Sequence, residues 1–142
     1  MKIKTILLAE DNQNDVDLTI MAFSEYNLAN NIEIVRDGVE VLEFLRSEGK
    51  YSERLPGFPV VILLDLKMPR LDGVGVLREI KSDPVLKLIP VVMVTSSREE
   101  TDLVESYKLG VNAYVVKPLD FNQFIIAMKQ LGAFWAVLNE LP

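Results

Sequence analysis

Cysteine and histidine are both missing from this 142-residue chain. Without them it cannot build a Cys/His zinc site, a thiol nucleophile, a Ser-His-Asp triad or a histidine proton shuttle. No stretch approaches the roughly 20 apolar residues of a membrane span. Met1-Lys2-Ile3-Lys4 opens basic, but the apolar run from Ile6 to Ala9 is too short for a signal peptide and ends at Glu10-Asp11. These absences predict a cytoplasmic protein with no membrane partner. Basic side chains are also few, 15 against 21 acidic, for a net charge of −6. Nucleic acid and anionic lipid both need a basic footprint, so neither is an expected partner. What remains is a chain 49% hydrophobic and 25% charged, long enough to bury one core without disulfide or metal staples.

Short apolar runs recur along it: Thr5 to Ala9, Ile32 to Val35, Val60 to Leu64, Val91 to Val94 and Tyr114 to Val116. They are β-branched and mostly unalternated, the pattern of strands covered on both faces in a parallel sheet. Helical spacings lie between them. Val16, Ile20 and Phe23 recur at i, i+4, i+7; Val39, Leu42 and Leu45, like Val74, Leu77 and Ile80, recur at i, i+3, i+6. A fourth helix over 99–109 closes on Gly110, and a fifth over 120–138 starts at Asp120 as N-cap. The chain therefore reads as one (βα)5 domain over 1–142, with a doubly wound five-stranded sheet whose common order is 2-1-3-4-5. The connection from Ser47 to Pro59, with Pro56, Gly57 and Pro59, is unusually long. It reads either as a contact loop or as a passive surface insertion.

In such a sheet, ligands sit outside the carboxyl ends of the strands where the order reverses. Glu10-Asp11 follows the first strand, Asp65 the third, Thr95 ends the fourth and Lys117 follows the fifth. Three carboxylates brought together repel one another and raise their own pKa values unless a cation intervenes. With only oxygen ligands at hand, that cation is Mg²⁺ or a similar hard ion. Three carboxylates, one ammonium and one dication sum to zero, so a phosphoryl group could be accepted, with Lys117 and the Thr95 hydroxyl on its oxygens. Asp65, on the central strand, is the natural nucleophile.

The ordered motifs Leu7-Leu8-Ala9-Glu10-Asp11-Asn12, Leu64-Asp65-Leu66-Lys67-Met68-Pro69 with Asp72-Gly73, Val94-Thr95-Ser96-Ser97 and Tyr114-Val115-Val116-Lys117-Pro118 resemble the receiver domain of two-component response regulators. The resemblance spans essentially the whole chain and implies a flavodoxin-like receiver fold. It implies that Asp65 takes a phosphoryl group from the phosphohistidine of a partner histidine kinase. It also implies that Glu10, Asp11, Asp65 and the main-chain carbonyl of Lys67 hold Mg²⁺, that Lys117 pairs with the phosphoryl group, and that Thr95 and Tyr114 switch together. For Tyr114 a half-buried strand tyrosine with its hydroxyl in water is the other reading. The Glu-Asp pair, the Ser47 to Pro59 connection and the ending Phe134-Trp135-Ala136-Val137-Leu138 look like the regulators that partner bacterial phytochromes.

No output domain follows the fifth helix in this sequence, so the expectation is a stand-alone regulator, not an enzyme acting on external substrates. A flavin carrier would need an anion-binding first loop, which Glu10-Asp11 opposes, and an aspartyl-phosphate phosphatase would want an acid where Lys67 stands. Apolar residues occupy more than one face of the last helix. Phe121, Phe124, Phe134 and Trp135 are thus either a partner interface, with a homodimer expected, or a tail folded onto its own core.

Overall fold

The computed structural model describes residues 5–25, 32–54, 57–96, 98–117 and 120–130; of 121 and 127–130 it describes the backbone alone. Five strands alternate with five helices. In chain order they are β1 (Ile6–Ala9), α1 (Gln13–Ser24), β2 (Ile32–Val35), α2 (Gly38–Arg46), β3 (Val61–Leu64), α3 (Gly73–Ser82), β4 (Val91–Thr95), α4 (Glu100–Lys108), β5 (Ala113–Val116) and α5 (Phe121–Gln130). The strands are all parallel, in the order β2-β1-β3-β4-β5, as the sequence predicts.

The unalternated runs earn their burial in the middle of the sheet. β1, β3 and β4 are buried at every residue, because helices cover both faces. Leu7, Ala9, Ile62, Leu64, Val91 and Met93 point to the face under α2 and α3; Ile6, Leu8, Val61, Leu63, Val92 and Val94 point to the face under α1 and α5. Each fully buried aliphatic side chain contributes about 1.5–3 kcal/mol. The edge strands differ: β2 buries only Val35 fully and β5 only Ala113, since an edge lacks one neighbour.

Two helix faces lie slightly off the predicted spacing. In α2 the buried stripe is Val41, Phe44 and Leu45, with Val39 and Leu42 at its margin; in α3 it is Val76, Leu77 and Ile80, with Val74 at the margin. An i, i+3, i+6 series drifts round a 3.6-residue helix, whereas i, i+3, i+4 stays on one stripe. The fourth helix ends as expected, with Gly110 at φ +94° beyond Lys108. At the start of α5, the Gln123 amide donates to Asp120 Oδ1 (2.7 Å) while the Asp120 amide donates back to Gln123 Oε1 (3.3 Å), a reciprocal cap.

The long connection is folded against α2. It contains a 3₁₀ turn at Gly49–Tyr51. From there the Tyr51 hydroxyl donates to Glu40 Oε1 (3.1 Å), and the Lys50 ammonium pairs with Glu40 Oε2 (3.1 Å). Arg54 Nε donates to the Phe44 carbonyl (3.0 Å), with its guanidinium 4.2 Å from the Phe44 ring centre. The Tyr51 and Lys50 bonds give Glu40, buried at 9% exposure, the partners a buried carboxylate requires.

Candidate phosphoacceptor and metal site

Backbone pairing extends one residue past the strands and so fixes where the polar side chains sit. The Glu10 amide donates to the Val35 carbonyl (3.0 Å), the Asp65 amide to the Ala9 carbonyl (3.1 Å) and the Lys117 amide to the Thr95 carbonyl (2.8 Å). Glu10, Asp65 and Lys117 are thus each the first residue after a strand, held by the neighbouring strand, while Thr95 is the last residue of β4. Glu10, Asp65 and Thr95 are buried at 3%, 6% and 1% exposure, while Asp11 faces solvent.

Glu10, Asp11 and Asp65 each offer one carboxylate oxygen, and these oxygens all lie within 4.8 Å of one another. Such an all-oxygen cluster fits a hard divalent cation that keeps some of its water. The Lys117 ammonium closes the other side, 2.6 Å from Glu10 Oε1 and 3.1 Å from Asp65 Oδ2. Burial pushes the Glu10 carboxyl up to about 7; the Lys117 bond opposes this and the neighbouring Asp65 carboxylate adds to it. Burial pulls the Lys117 ammonium down, but Asp15, Glu10 and Asp65 outweigh it and hold its pKa above the ordinary lysine value.

Asp15 is the residue that sequence reasoning missed. Its Oδ2 lies 2.8 Å from Lys117 Nζ, so the ammonium has three carboxylate partners. The expected neutrality of the site therefore fails: with a fourth carboxylate and one dication the sum is −1. The available signal was its place in the first turn of α1, three residues after the N-cap Asn12, where a side chain can reach back over the strand ends.

The loop between β3 and α3 is held as firmly as the strand ends. The Gly73 amide donates to the Leu66 carbonyl (2.7 Å), and a Cβ at Gly73 would collide with the Asp65 carbonyl oxygen. Arg70 adopts a left-handed backbone at φ +68°, and its Nε donates to Asp37 Oδ2 at 3.1 Å. Burial works against ionisation of Asp37, yet the Glu40 amide and Arg70 hold its carboxyl below the usual range. Lys67, in this loop, extends its side chain into solvent.

The remaining candidates divide. Tyr114 is partly buried against the α2/α3 core face and lies beside Met93 in the sheet register. Phe124 is 0% exposed and packs on Phe23 with ring centres 4.6 Å apart. This corrects its assignment to a partner interface: Phe124 fills the gap between α1 and α5. Ile126, 56% exposed, is the apolar side chain of α5 that faces outward among the described residues. Phe134 and Trp135 lie outside the described residues, as does the side chain of Phe121. No helix among the described residues is long and apolar enough to cross a membrane.

Comparison with known proteins agrees with this geometry. The family model described as "Response regulator receiver domain" matches residues 6–129. Response regulator Rcp1 of Synechocystis sp. is 39% identical over 139 residues, covering 98% of this chain and 93% of that protein. The solved structure of the bacteriophytochrome response regulator AtBRR is 54% identical with a TM-score of 0.88, covering 99% of this chain and 100% of that one. The Mn²⁺-bound form of Rcp1 is 37% identical with a TM-score of 0.76, covering 98% of this chain and 97% of that one.

Proposed function

The chain belongs to the response regulator receiver domain family, and on that premise we propose that it is a two-component signalling switch whose phosphoacceptor is Asp65. The observation that carries this reading is the Asp65 carboxylate itself. It is 6% exposed at the end of the middle strand, with Glu10 and Asp11 within 4.8 Å and the Lys117 ammonium at 3.1 Å.

One Asp65 oxygen attacks the phosphorus of a kinase phosphohistidine. The phosphorus–nitrogen bond breaks, its electron pair stays on the imidazole nitrogen, which takes a proton from water, and an acyl phosphate remains on Asp65. Hydrolysis breaks the new oxygen–phosphorus bond and returns carboxylate and inorganic phosphate, so the chemistry is self-directed and not enzymatic turnover of an external substrate. A bound Mg²⁺, held by Glu10, Asp11, Asp65 and the Lys67 carbonyl, would supply positive charge to the phosphoryl oxygens. The Mn²⁺-bound relative supports a divalent ion at such a site. Lys117 and the Thr95 hydroxyl serve the phosphoryl oxygens from the protein side. Phosphorylation replaces a monoanion by a dianion, and that added charge draws Thr95 and lets Tyr114 repack, altering the outer surface of α4, β5 and α5.

Likeness to a bacteriophytochrome response regulator supports a phytochrome-type histidine kinase as donor. Near-complete coverage of these relatives supports a receiver that signals alone, through its own surface. Phe121, Phe134 and Trp135 remain the proposed homodimer contacts.

Intact mass after incubation with a small phosphoryl donor tests the central step. The expected result is a gain of one HPO₃ that requires Mg²⁺ and is lost in Asp65→Asn. Folded wild-type protein that gains no mass with Mg²⁺ present would overturn the reading.

A further inference from the structure

Lys117 has three N–H donors, and three carboxylates take them: Glu10 at 2.6 Å, Asp15 at 2.8 Å and Asp65 at 3.1 Å. These partners differ in what the proposed reaction does to them. A dication draws on the charge of Glu10 and Asp65, and phosphorylation converts Asp65 to an ester. Asp15 stands outside the acid cluster within 4.8 Å, so neither event consumes its charge. Its backbone is fixed on both sides. The Asp15 amide donates to Asn12 Oδ1 (3.0 Å), and its carbonyl accepts from the Thr19 hydroxyl (2.9 Å). The neighbouring acid on the same helix, Asp17, accepts instead from Gln13 on the exposed side at 2.7 Å.

We propose that Asp15 is a positioning residue that keeps the Lys117 ammonium in the site once the cation and the phosphoryl group have taken the charge of Glu10 and Asp65. The inference rests on the phosphoacceptor reading above. Without Asp15 the cation repels an ammonium whose other two partners have been weakened, and Lys117 turns toward water before it can meet the phosphoryl oxygens. Asp15 never touches the reacting atoms; it acts through Lys117.

The test measures the rate of phosphoryl gain at saturating small donor and Mg²⁺, with urea unfolding to establish that each variant is folded. Asp15→Asn is expected to lower that rate about tenfold, the low end for a charge-assisted hydrogen bond at a part-exposed side chain. Asp17→Asn, which removes the same charge from the same helix, stays within about twofold. In a Lys117→Ala background Asp15→Asn produces no further loss, and Asp15→Glu restores part of the rate in the wild-type background. A second readout is the ¹⁵N ammonium signal of Lys117 in the Mg²⁺-bound protein. It persists in Asp17→Asn and collapses into exchange with water in Asp15→Asn. An unchanged rate with a persistent ammonium signal in Asp15→Asn would overturn the proposal, as would an equal loss in both backgrounds. If wild-type protein accepts no phosphoryl group, the parent reading fails, while the ammonium signal still decides whether Asp15 holds Lys117.

Discussion

Helices α3 and α4 flank the same strand, β4, yet they are attached differently. α3 buries Gly73, Val76, Leu77 and Ile80 and is capped by Asp72, whose side chain accepts from the Gly75 amide at 2.8 Å. α4 has no side-chain cap at Glu99, and its single buried residue is Ser106. The Ser106 hydroxyl, at 0% exposure, finds no hydrogen-bond partner among the described residues, whereas Leu103, Val104 and Tyr107 lie at 37%, 43% and 51% exposure. A buried unpaired hydroxyl costs about 1–3 kcal/mol, and an apolar outer face contributes nothing to docking. One side of the site is therefore clamped, through Gly73 and the Arg70–Asp37 pair, and the other side is loosely seated. A switch needs both. The clamped side keeps the carboxylates in place, and the loose side can change its packing for a modest free energy.

The largest effect separating the two helices is expected in their cores. Leu77→Ala should destabilise the protein by about 2–5 kcal/mol, because a fully buried side chain leaves a cavity. Val104→Ala on the exposed face of α4 should stay within about 0.5 kcal/mol. Urea denaturation of the two variants checks the contrast, and equal losses would erase it.

Next in size is a pH effect on the clamped side. The Glu10 carboxyl is raised from 4.5 to about 7 in the folded chain, so the metal-free fold binds this proton more tightly than the unfolded chain does. Stability contributed by the protonated form is present below about 4.5 and is lost as pH rises toward about 7. A cation must displace the same proton. Mg²⁺ affinity should therefore rise by up to about tenfold per pH unit below 7 and level off above it. Calorimetric titration at several pH values reads this directly; a flat affinity between pH 5 and 7 would contradict it.

The smallest effect is expected at Ser106. Ser106→Ala removes the unpaired hydroxyl without opening a large cavity and should stabilise the protein by about 1 kcal/mol. It should also slow amide exchange in α4. A loss of stability would mean that the hydroxyl has a partner after all.

The fold was legible because β-branched runs and the 3.6 spacing both report burial, and the alternation of elements pointed to a doubly wound sheet whose common order is the one observed. The margins were less so. Val39 and Leu42 fit a helical series, but only the sheet's position decides that Val41 and Phe44 face it. Glu10, Asp11, Asp65, Thr95 and Lys117 could be found because each stands at a strand end, a place the sequence marks. Asp15 could not be found that way, since an acid in the first turn of a helix also serves the helix dipole, and only the distance to Lys117 distinguishes the two roles. Phe124 shows the opposite case. Apolar residues on more than one helix face fit a partner interface and a fold-back onto the core equally well, and only the contact with Phe23 across two helices places Phe124 in the core.

The most direct test of the account is amide hydrogen exchange on α3 and α4, before and after incubation with Mg²⁺ and a small phosphoryl donor, with Asp65→Asn alongside. Exchange in α4 is expected to change at least severalfold while α3 stays as it was, and in Asp65→Asn the α4 change is expected to be absent. Equal change in both helices, or an α4 response that persists in Asp65→Asn, would contradict it.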